Sequence, residues 1–311
     1  MEYIVYDTAL PNDGSSERQY LNLIELVIKK GAMRQDRTGV GTRALHGATL
    51  RFNLSDGRVP LLTTKKVPWK QAIKELLWFL SGDTNIRALL QHGVRIWSDW
   101  PYARFVKESA EGDTVGKEEF ERRIVEDACF AEQWGSIGPG YGKQWRQWEG
   151  KDGKVFDQIA DVVEMIKNDP NSRRILFHGW NVADLDQMSL PPCHLLYQYF
   201  VADGRLSGTV YQRSVDCGLG LPWNLFEAAV LIKMLASQCN LEPGELFWVG
   251  HDVHVYSNHE KALLEQIRRS PSAFPRLDII RKPATVFDYR PEDFVVFDYA
   301  PQKVIRMDVA V

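Results

Sequence analysis

The chain has 311 residues, of which 44% are hydrophobic, 11% aromatic and 25% charged. This composition is typical of a globular protein and excludes a disordered or fibrous one. With 38 Lys and Arg against 41 Asp and Glu, the formal charge is −3, so no global positive field favours binding to nucleic acid or to a membrane surface. We therefore expect no nucleic-acid partner, and any anion site has to be local.

Compartment and redox state follow from simple patterns. The longest apolar runs, such as 228–232, fall far short of the ~18 residues that cross a bilayer. The amino terminus lacks the basic region and the apolar run of a secretory signal, so we expect a cytoplasmic location with no membrane partner. The 4 cysteines lack a CxxC spacing, so we expect reduced thiols rather than a disulfide framework or a zinc site.

Periodicity predicts two helices and a strand in the first part of the chain. Apolar side chains recur at helical spacing over 17–30, and Gly31 follows as a C-cap. An extended stretch over 48–54 predicts a strand. The strongest helical pattern runs from Trp69 to Leu80, where apolar residues repeat every three or four positions until Gly82.

The second part of the chain begins with a charged segment and ends in regular elements. The acidic stretch 108–127 carries only a thin apolar stripe, which favours a solvated surface insertion. Two alternating stretches, 195–201 and 206–212, flank Asp203-Gly204 and predict a β-hairpin. Residues 224–238 are apolar on nearly every face, as in a central buried helix. With no repeat or linker, we expect one α+β domain with a long insertion.

Cys193 is a candidate nucleophile. Two prolines precede it, and they fix the backbone as rigid presentation of a thiol requires. His194 follows, but neighbouring side chains on an extended backbone point to opposite faces, so a Cys-His pair would have to form across the fold. An isolated cysteine is more often a small buried hydrophobe, and a cysteine hydrolase is the generic catalytic alternative.

Four arginines stand in short polar contexts that suit a phosphate: Arg37, Arg173, Arg174 and Arg213. A guanidinium binds phosphate oxygens in pairs, although any one surface arginine is more often only solvated. Histidines cluster at His251, His254 and His259. A metal is not favoured there, because His254, Tyr256 and Asn258 alternate in a way that suits a strand or turn that presents hydrogen-bond donors.

Taken together and in order, these segments resemble the thymidylate synthase family, which includes pyrimidine-nucleotide hydroxymethylases. The likeness runs from about Gln19 to Val311. The matching stretches are Asp36-Arg37-Thr38-Gly39, Glu75-Leu76-Leu77-Trp78-Phe79-Leu80, Gly82-Asp83-Thr84-Asn85, Tyr141-Gly142-Lys143-Gln144-Trp145-Arg146, Ser172-Arg173-Arg174, Pro192-Cys193-His194, Tyr211-Gln212-Arg213-Ser214, Leu219-Gly220-Leu221-Pro222-Trp223-Asn224 and Tyr256-Ser257-Asn258-His259.

The resemblance implies a fold, a reaction and a site. The fold is α+β, a single large domain over 1–311 with a mixed β-sheet packed by helices and a family-type insertion at 105–133. The reaction is methylation of dUMP to dTMP with 5,10-methylenetetrahydrofolate. Catalytic residues are Cys193, Glu75, Tyr141, Arg213, Asp216 and Asn224; dUMP ligands are Arg37, Arg173, Arg174, Gln212, Arg213, Ser214, Asn224, His254 and Tyr256; folate ligands are Trp97, Asp216, Gly220 and Ala310. No metal is implied.

The chemistry fits the residues that the resemblance names. A thiolate of Cys193 adds to the electron-poor C6 of uracil and makes C5 nucleophilic, and Arg213 supplies the positive charge that favours the thiolate. Asn224 matches the base reader, since its carboxamide donates to O4 and accepts from N3. Glu75 matches the general acid/base. The arginine pair, Arg173 and Arg174, reaches the phosphate from the partner subunit, which implies a homodimer.

Some positions depart from the family pattern and keep alternatives open. Gly140 replaces a branched residue, His178 and His251 replace smaller ones, and Gln302-Lys303 replaces a His-Pro. Extra room and imidazoles that admit water would favour a dUMP 5-hydroxymethylase, in which water takes the place of hydride. Retention of Trp97 and of the terminal Val311 favours methylation instead. A non-catalytic relative is a further alternative, and joint retention of Cys193, Arg213, Asn224 and Glu75 argues against it.

Overall fold

The computed structural model describes residues 11–36 and 38–309. Its helices are α1 (Ser15–Lys30), α2 (Trp69–Ser81), α3 (Arg87–Gln91), α4 (Asp99–Glu108), α5 (Lys117–Glu126), α6 (Ala128–Trp134), α7 (Tyr141–Arg146), α8 (Gln158–Asn168), α9 (Gly220–Gln238) and α10 (Glu260–Ile267). Its strands are β1 (Ala32–Arg34), β2 (Thr42–Asn53), β3 (Trp148–Glu149), β4 (Val155–Phe156), β5 (Leu176–His178), β6 (His194–Ala202), β7 (Arg205–Asp216), β8 (Glu242–Tyr256), β9 (Arg276–Ile279) and β10 (Phe294–Phe297).

A mixed sheet dominates the described residues, as the α+β expectation required. Six strands lie in the order β1-β2-β8-β7-β6-β5. The β7–β8 pair is parallel, whereas β1–β2, β2–β8 and β6–β7 are antiparallel. The predicted fold class is therefore confirmed.

Contacts divide the described chain into two compact units. The first takes its residues from 11–72, 163–176 and 193–309, and the second is formed by 73–162 and 177–192. The first unit contains the helices α1, α9 and α10 and most of the sheet, and the second contains α3 to α7. The single domain over 1–311 remains a prediction.

The helix predicted over 17–30 is confirmed as α1. Tyr20, Ile24 and Val27 are fully buried along its core-facing side. Gly31 ends the helix, and its N–H donates to the carbonyl of Val27. A Cβ at Gly31 would lie 2.5 Å from that carbonyl oxygen, so close backbone approach requires glycine there.

The other predicted helices are confirmed with small changes of boundary. The helix α2 ends at Ser81, followed by Gly82 with a φ of +80°, a left-handed conformation that glycine adopts without strain. The central helix α9 begins at Gly220, four residues before the predicted start, and is buried on nearly every face as predicted.

The predicted hairpin and strand are also present. The strands β6 and β7 are joined by Asp203 and Gly204, both with positive φ, as a two-residue hairpin loop requires. The strand predicted over 48–54 begins earlier, at Thr42, because β8 pairs with β2 from Thr42 to Asn53.

The acidic stretch 108–127 is not merely a solvated insertion. Its helix α5 buries Phe120 and Ile124 completely. The ring of Phe120 packs against Phe105 and Phe130, with centroids 5.2 and 5.7 Å away. Glu121 is buried as well and accepts from the hydroxyl of Ser98, whereas Glu118 and Glu126 are exposed. The thin apolar stripe is thus sufficient to dock the helix within the second unit.

In the part of the chain that the structure describes, no helix combines the length and apolar character needed to cross a bilayer. The four cysteines (Cys129, Cys193, Cys217 and Cys239) all lie in this part, and none forms a disulfide.

Candidate active site

The predicted nucleophile, Cys193, lies beside a guanidinium. It immediately precedes β6, and its carbonyl accepts from the backbone N–H of Arg213 at 2.9 Å. This backbone contact holds the two side chains side by side, and Nη2 of Arg213 donates toward Sγ of Cys193 at 3.9 Å. A cation at this distance stabilises a thiolate electrostatically. The arrangement is that of an activated sulfur nucleophile.

Strand directions explain why several predicted residues share one edge of the sheet. Because β7 and β8 run parallel and β6 runs antiparallel to β7, the amino end of β6 lies beside the carboxyl ends of β7 and β8. Cys193 precedes the first, Asp216 ends the second and Tyr256 ends the third. Asp216 and His254 are register partners across β7 and β8.

A chain of hydrogen bonds fixes the predicted base reader, Asn224. The indole N–H of Trp248 donates to Oε1 of Gln212 at 3.0 Å. The Nε2 of Gln212 then donates to Oδ1 of Asn224 at 3.0 Å. Trp248 and Gln212 are buried, so this chain determines which way the Asn224 carboxamide faces.

The carboxylate of Asp216 organises the loop that leads into α9. It accepts from the backbone N–H groups of Gly218, Leu219 and Gly220 at 2.8 to 3.3 Å. Burial acts to raise the pKa of Asp216, but the nearby imidazole of His259 and the hydrogen bond from the Gly218 N–H outweigh it and hold the pKa below its ordinary value. Asp216 is therefore a carboxylate at neutral pH.

The two predicted deoxyribose ligands pack against each other. The ring of His254 lies 5.1 Å from that of Tyr256. The Nδ1 of His254 faces Oδ1 of Asp252 at 3.2 Å, and this hydrogen bond, with the nearby Arg34, keeps the pKa of Asp252 below its ordinary value. Ser214 lies in β7 opposite Asp252 in the register.

Of the predicted phosphate arginines, the described residues include Arg173, Arg174 and Arg213 but not Arg37. Arg173 and Arg174 are exposed and precede β5, and the carbonyl of Arg173 accepts from Gln198 at 3.2 Å. Two predicted ligands, Arg37 and Ala310, lie outside the described residues.

Three predicted site residues belong to the second unit and form an aromatic cluster there. Glu75, Trp97 and Tyr141 are buried, and the indole N–H of Trp97 donates to Oε1 of Glu75. The ring of Tyr141 lies 4.7 Å from Phe79 and 6.1 Å from Trp97. The apolar rings surround a single carboxyl group, a setting suited to proton transfer.

His194 does not behave as a catalytic base. It is buried, its Nδ1 lies 2.9 Å from the hydroxyl of Tyr197, and burial lowers its pKa to about 3. An imidazole with so low a pKa is a weak base, so His194 is not the base of a Cys-His pair, and a cysteine hydrolase would need a distant histidine. Nor do the described residues contain a group of three or more His, Cys, Asp or Glu that could hold a metal ion.

Comparison with known proteins agrees with this arrangement. A family model described as Thymidylate synthase matches residues 18–311. The chain belongs to the thymidylate synthase family. A relative from Zymomonas mobilis named "Thymidylate synthase" is 56% identical over 297 residues, covering 95% of this chain and 100% of the relative. Relatives of the same name from Rhizorhabdus wittichii and Rhodopseudomonas palustris are each 55% identical, covering 95% of this chain and 98% and 99% of their own lengths.

The departures from the family pattern have local packing explanations. A Cβ at Gly140 would lie 3.1 Å from the side chain of Ile137, so Ile137 fills much of the space that a branched residue would take. The ring of His178 packs 4.9 Å from Trp148. His251 packs 4.6 Å from His46, each on a strand of the first unit.

Sequence reasoning assigned no role to three residues around the family site. Trp248 anchors Gln212, His259 faces Asp216, and the buried Lys65 donates to the carbonyl of Gly218. Burial lowers the pKa of Lys65 to about 8, opposed by Asp216. No local pattern signals the last of these, because its partner is 153 residues away.

Proposed function

We propose that this member of the thymidylate synthase family methylates dUMP to dTMP with 5,10-methylenetetrahydrofolate. The family match over 18–311 supports the reaction class. The single observation that carries the proposal is the 3.9 Å approach of the Arg213 guanidinium to the Cys193 sulfur, because this chemistry begins with a thiolate.

Cys193 acts as the nucleophile. Its thiolate forms an S–C bond at C6 of uracil, and the electron pair of the C5–C6 double bond moves toward C5 and O4. C5 thereby becomes nucleophilic. Arg213 favours the thiolate before attack and also binds the nucleotide phosphate, with Ser214, Arg37, Arg173 and Arg174 as the other phosphate ligands.

Asn224 reads the base. Its Oδ1 already accepts from Gln212, which turns Nδ2 toward the substrate. That N–H group donates to O4 of uracil and stabilises the charge that forms there, while Oδ1 accepts from N3. His254 and Tyr256 bind the deoxyribose hydroxyl from the end of β8.

The folate ligands proposed are Trp97, Asp216, Gly220 and Ala310. Asp216 fits this role, since its carboxylate is fixed by backbone N–H groups and keeps 21% of its side chain exposed, so it can accept from the N–H groups of a pterin. When bound, the folate supplies the one-carbon unit and the hydride. Glu75 and Tyr141 act in proton transfer during the reaction.

The active enzyme is proposed to be a homodimer. Apolar side chains remain partly exposed on one face of the sheet, where they alternate with buried residues: Phe200, Tyr211, Phe247 and Val249. Phe200 is 67% exposed. A second copy of this chain would cover such a face, and the exposed Arg173 and Arg174 would then reach the partner's phosphate site. We also propose a cytoplasmic location.

The hydroxymethylase alternative is not favoured. The relatives that cover 95% of the chain are named thymidylate synthase, and Ile137 occupies space beside Gly140. The discriminating experiment mixes the purified protein with dUMP and 5,10-methylenetetrahydrofolate and identifies both products. Equal amounts of dTMP and dihydrofolate support the proposal. Conversion of dUMP to its 5-hydroxymethyl derivative without dihydrofolate would replace it with the alternative.

A further inference from the structure

His259 contacts two separate parts of the first unit through its two ring nitrogens. It follows β8, immediately before α10, and is completely buried. Its Nε2 lies 2.6 Å from the backbone carbonyl oxygen of Asp308. Its Nδ1 lies 3.6 Å from Oδ1 of Asp216. One imidazole therefore connects the C-terminal tail, residues 302–309, with the carboxylate at the start of the α9 loop.

The chemistry of these partners specifies the protonation of the ring. A backbone carbonyl only accepts, so Nε2 carries a proton and donates it to Asp308. Asp216 is also an acceptor, so a proton on Nδ1 gives attraction, whereas a lone pair there would face a negative charge. In the imidazolium form Nε2 donates to Asp308, and the charge near Nδ1 is attracted to Asp216 at 3.6 Å, beyond hydrogen-bond distance. The neutral form has one ring proton for these two acceptors.

The other groups around the ring do not reverse this preference. Tyr256 packs 5.5 Å away, and Asn258 donates to the same Asp308 carbonyl at 3.4 Å. Burial acts to lower the pKa of His259, and the positive charge of Lys65 disfavours the imidazolium and acts in the same direction. Asp216 and the Asp308 carbonyl outweigh both influences and raise the pKa above its ordinary value.

Packing at this point leaves little freedom. A Cβ on Gly218 would lie 2.7 Å from Nδ1 of His259 and 3.1 Å from the sulfur of Met307. The tail, the imidazole and the α9 loop are thus in close contact, and glycine is required where they meet. Removing the imidazole would leave an unfilled space beneath Met307 as well as a lost hydrogen bond.

The other end of the tail is fixed independently. The backbone N–H of Gln302 donates to the carbonyl of Thr63 at 2.8 Å, and Nη1 of Arg269 donates to the carbonyl of Lys303 at 2.6 Å. Between these contacts and Asp308, residues 304 and 306 are exposed. His259 is therefore placed to control only the distal half of the tail.

We infer that His259, as an imidazolium, is a positioning residue that holds the distal tail against the Asp216 loop and orients Asp216 for the folate. The contribution to folate binding rests on the proposed function, whereas the hold on the tail does not. Deprotonation of His259 at alkaline pH leaves one ring proton for two acceptors and so weakens the hold on the distal tail, and acidification toward neutral pH restores it.

Amide hydrogen exchange of the ligand-free protein tests the hold directly. Protection factors, which correct for the intrinsic pH dependence of exchange, are measured for peptides covering 302–309 in the wild type and in His259→Ala and His259→Gln variants. Asp308→Ala is the matched control, because it keeps the backbone carbonyl that His259 uses. We expect tail protection to fall about tenfold in His259→Ala, less in His259→Gln, and not at all in the control.

Two further measurements distinguish a positioning role from a merely structural one: the KM for each substrate and the pH dependence of tail protection. Both His259 variants should raise KM for the folate more than KM for dUMP, and the fall of tail protection with rising pH in the wild type should be absent from them. Unchanged protection in the folded His259→Gln variant, or an equal loss in Asp308→Ala, would overturn the inference. If the wild type converts no dUMP, the proposed function fails, and the exchange data still decide the role of His259.

Discussion

Gln212 donates a hydrogen bond to the Oδ1 of Asn224 at 3.0 Å, and it is itself held by the indole of Trp248. The orientation of the Asn224 amide is therefore set by the protein before substrate binds. A preset donor at Nδ2 matches uracil O4 and opposes the amino group of cytosine at the same ring position. In the proposed function, base choice depends on a side chain whose orientation Gln212 and Trp248 fix.

Asn224→Asp should weaken turnover of dUMP and improve that of dCMP. A carboxylate accepts from the cytosine amino group, but it faces uracil O4 with a second acceptor and leaves buried polar groups unpaired at a cost of about 1–3 kcal/mol. That cost corresponds to about one to two decades in relative kcat/KM. Kinetics with both nucleotides, together with a melting curve to verify folding, check this. An unchanged preference would show that Asn224 is not the base reader.

Trp97→Phe should lower kcat while leaving KM for dUMP nearly unchanged. The substitution keeps a ring in the aromatic cluster but removes the N–H that donates to Glu75, and a hydrogen bond to a charged group contributes about 1.5–3 kcal/mol. Trp100→Phe is the matched control, because the Trp100 ring packs 5.3 Å from Trp97 without belonging to the proposed site. A similar loss of kcat in both variants would indicate a packing role for Trp97.

Subunit mixing tests whether Arg173 and Arg174 act across a dimer. A Cys193→Ser protein and an Arg173→Ala, Arg174→Ala protein should each be nearly inactive. Refolded together, they should recover up to about a quarter of wild-type activity, because half of the dimers would then carry one complete site. The two variants kept apart provide the baseline. No recovery from a mixture shown to contain heterodimers would place the arginines in their own subunit's site or outside the site.

The lowered pKa of Lys65 predicts that the free energy of unfolding depends on pH. Burial lowers its pKa from 10.5 to about 8 in the folded protein, so between these values the unfolded state binds more protons. The free energy of unfolding therefore gains a contribution that rises with pH across this window, by about 3 kcal/mol at most. Denaturant unfolding of the wild type and Lys65→Met from pH 7.5 to 10 measures it. The difference between the two should change in favour of the wild type, and parallel curves would refute the assignment.

Local elements were predictable because their signals are local. The apolar repeat from Trp69 to Leu80 and the Asp203-Gly204 turn each lie within a few residues of the structure that they specify. Sheet order was not predictable in this way. Thr42 pairs with Tyr256, and no periodicity in either segment identifies a partner so distant in sequence.

The same distinction between local signals and distant contacts applies to the site residues. Local patterns suggested Cys193 and Arg213, the resemblance added Asn224, and the strand ends and the hydrogen bond from Gln212 explain how they are positioned. The supporting residues Trp248, Lys65 and His259 were assigned no role because their roles arise from tertiary contacts. The effect of the departures from the family pattern also depends on packing. The sequence at Gly140 does not reveal that the side chain of Ile137 lies beside it.

The most direct test of the central claim is the covalent adduct at Cys193. The protein is incubated with 5-fluoro-dUMP and 5,10-methylenetetrahydrofolate, digested, and analysed by mass spectrometry, with Cys193→Ser as the control. We expect a stable adduct that contains nucleotide and folate on the peptide with Cys193, and none in the control. An adduct on another cysteine, or no adduct with a folded protein that binds both ligands, would contradict it.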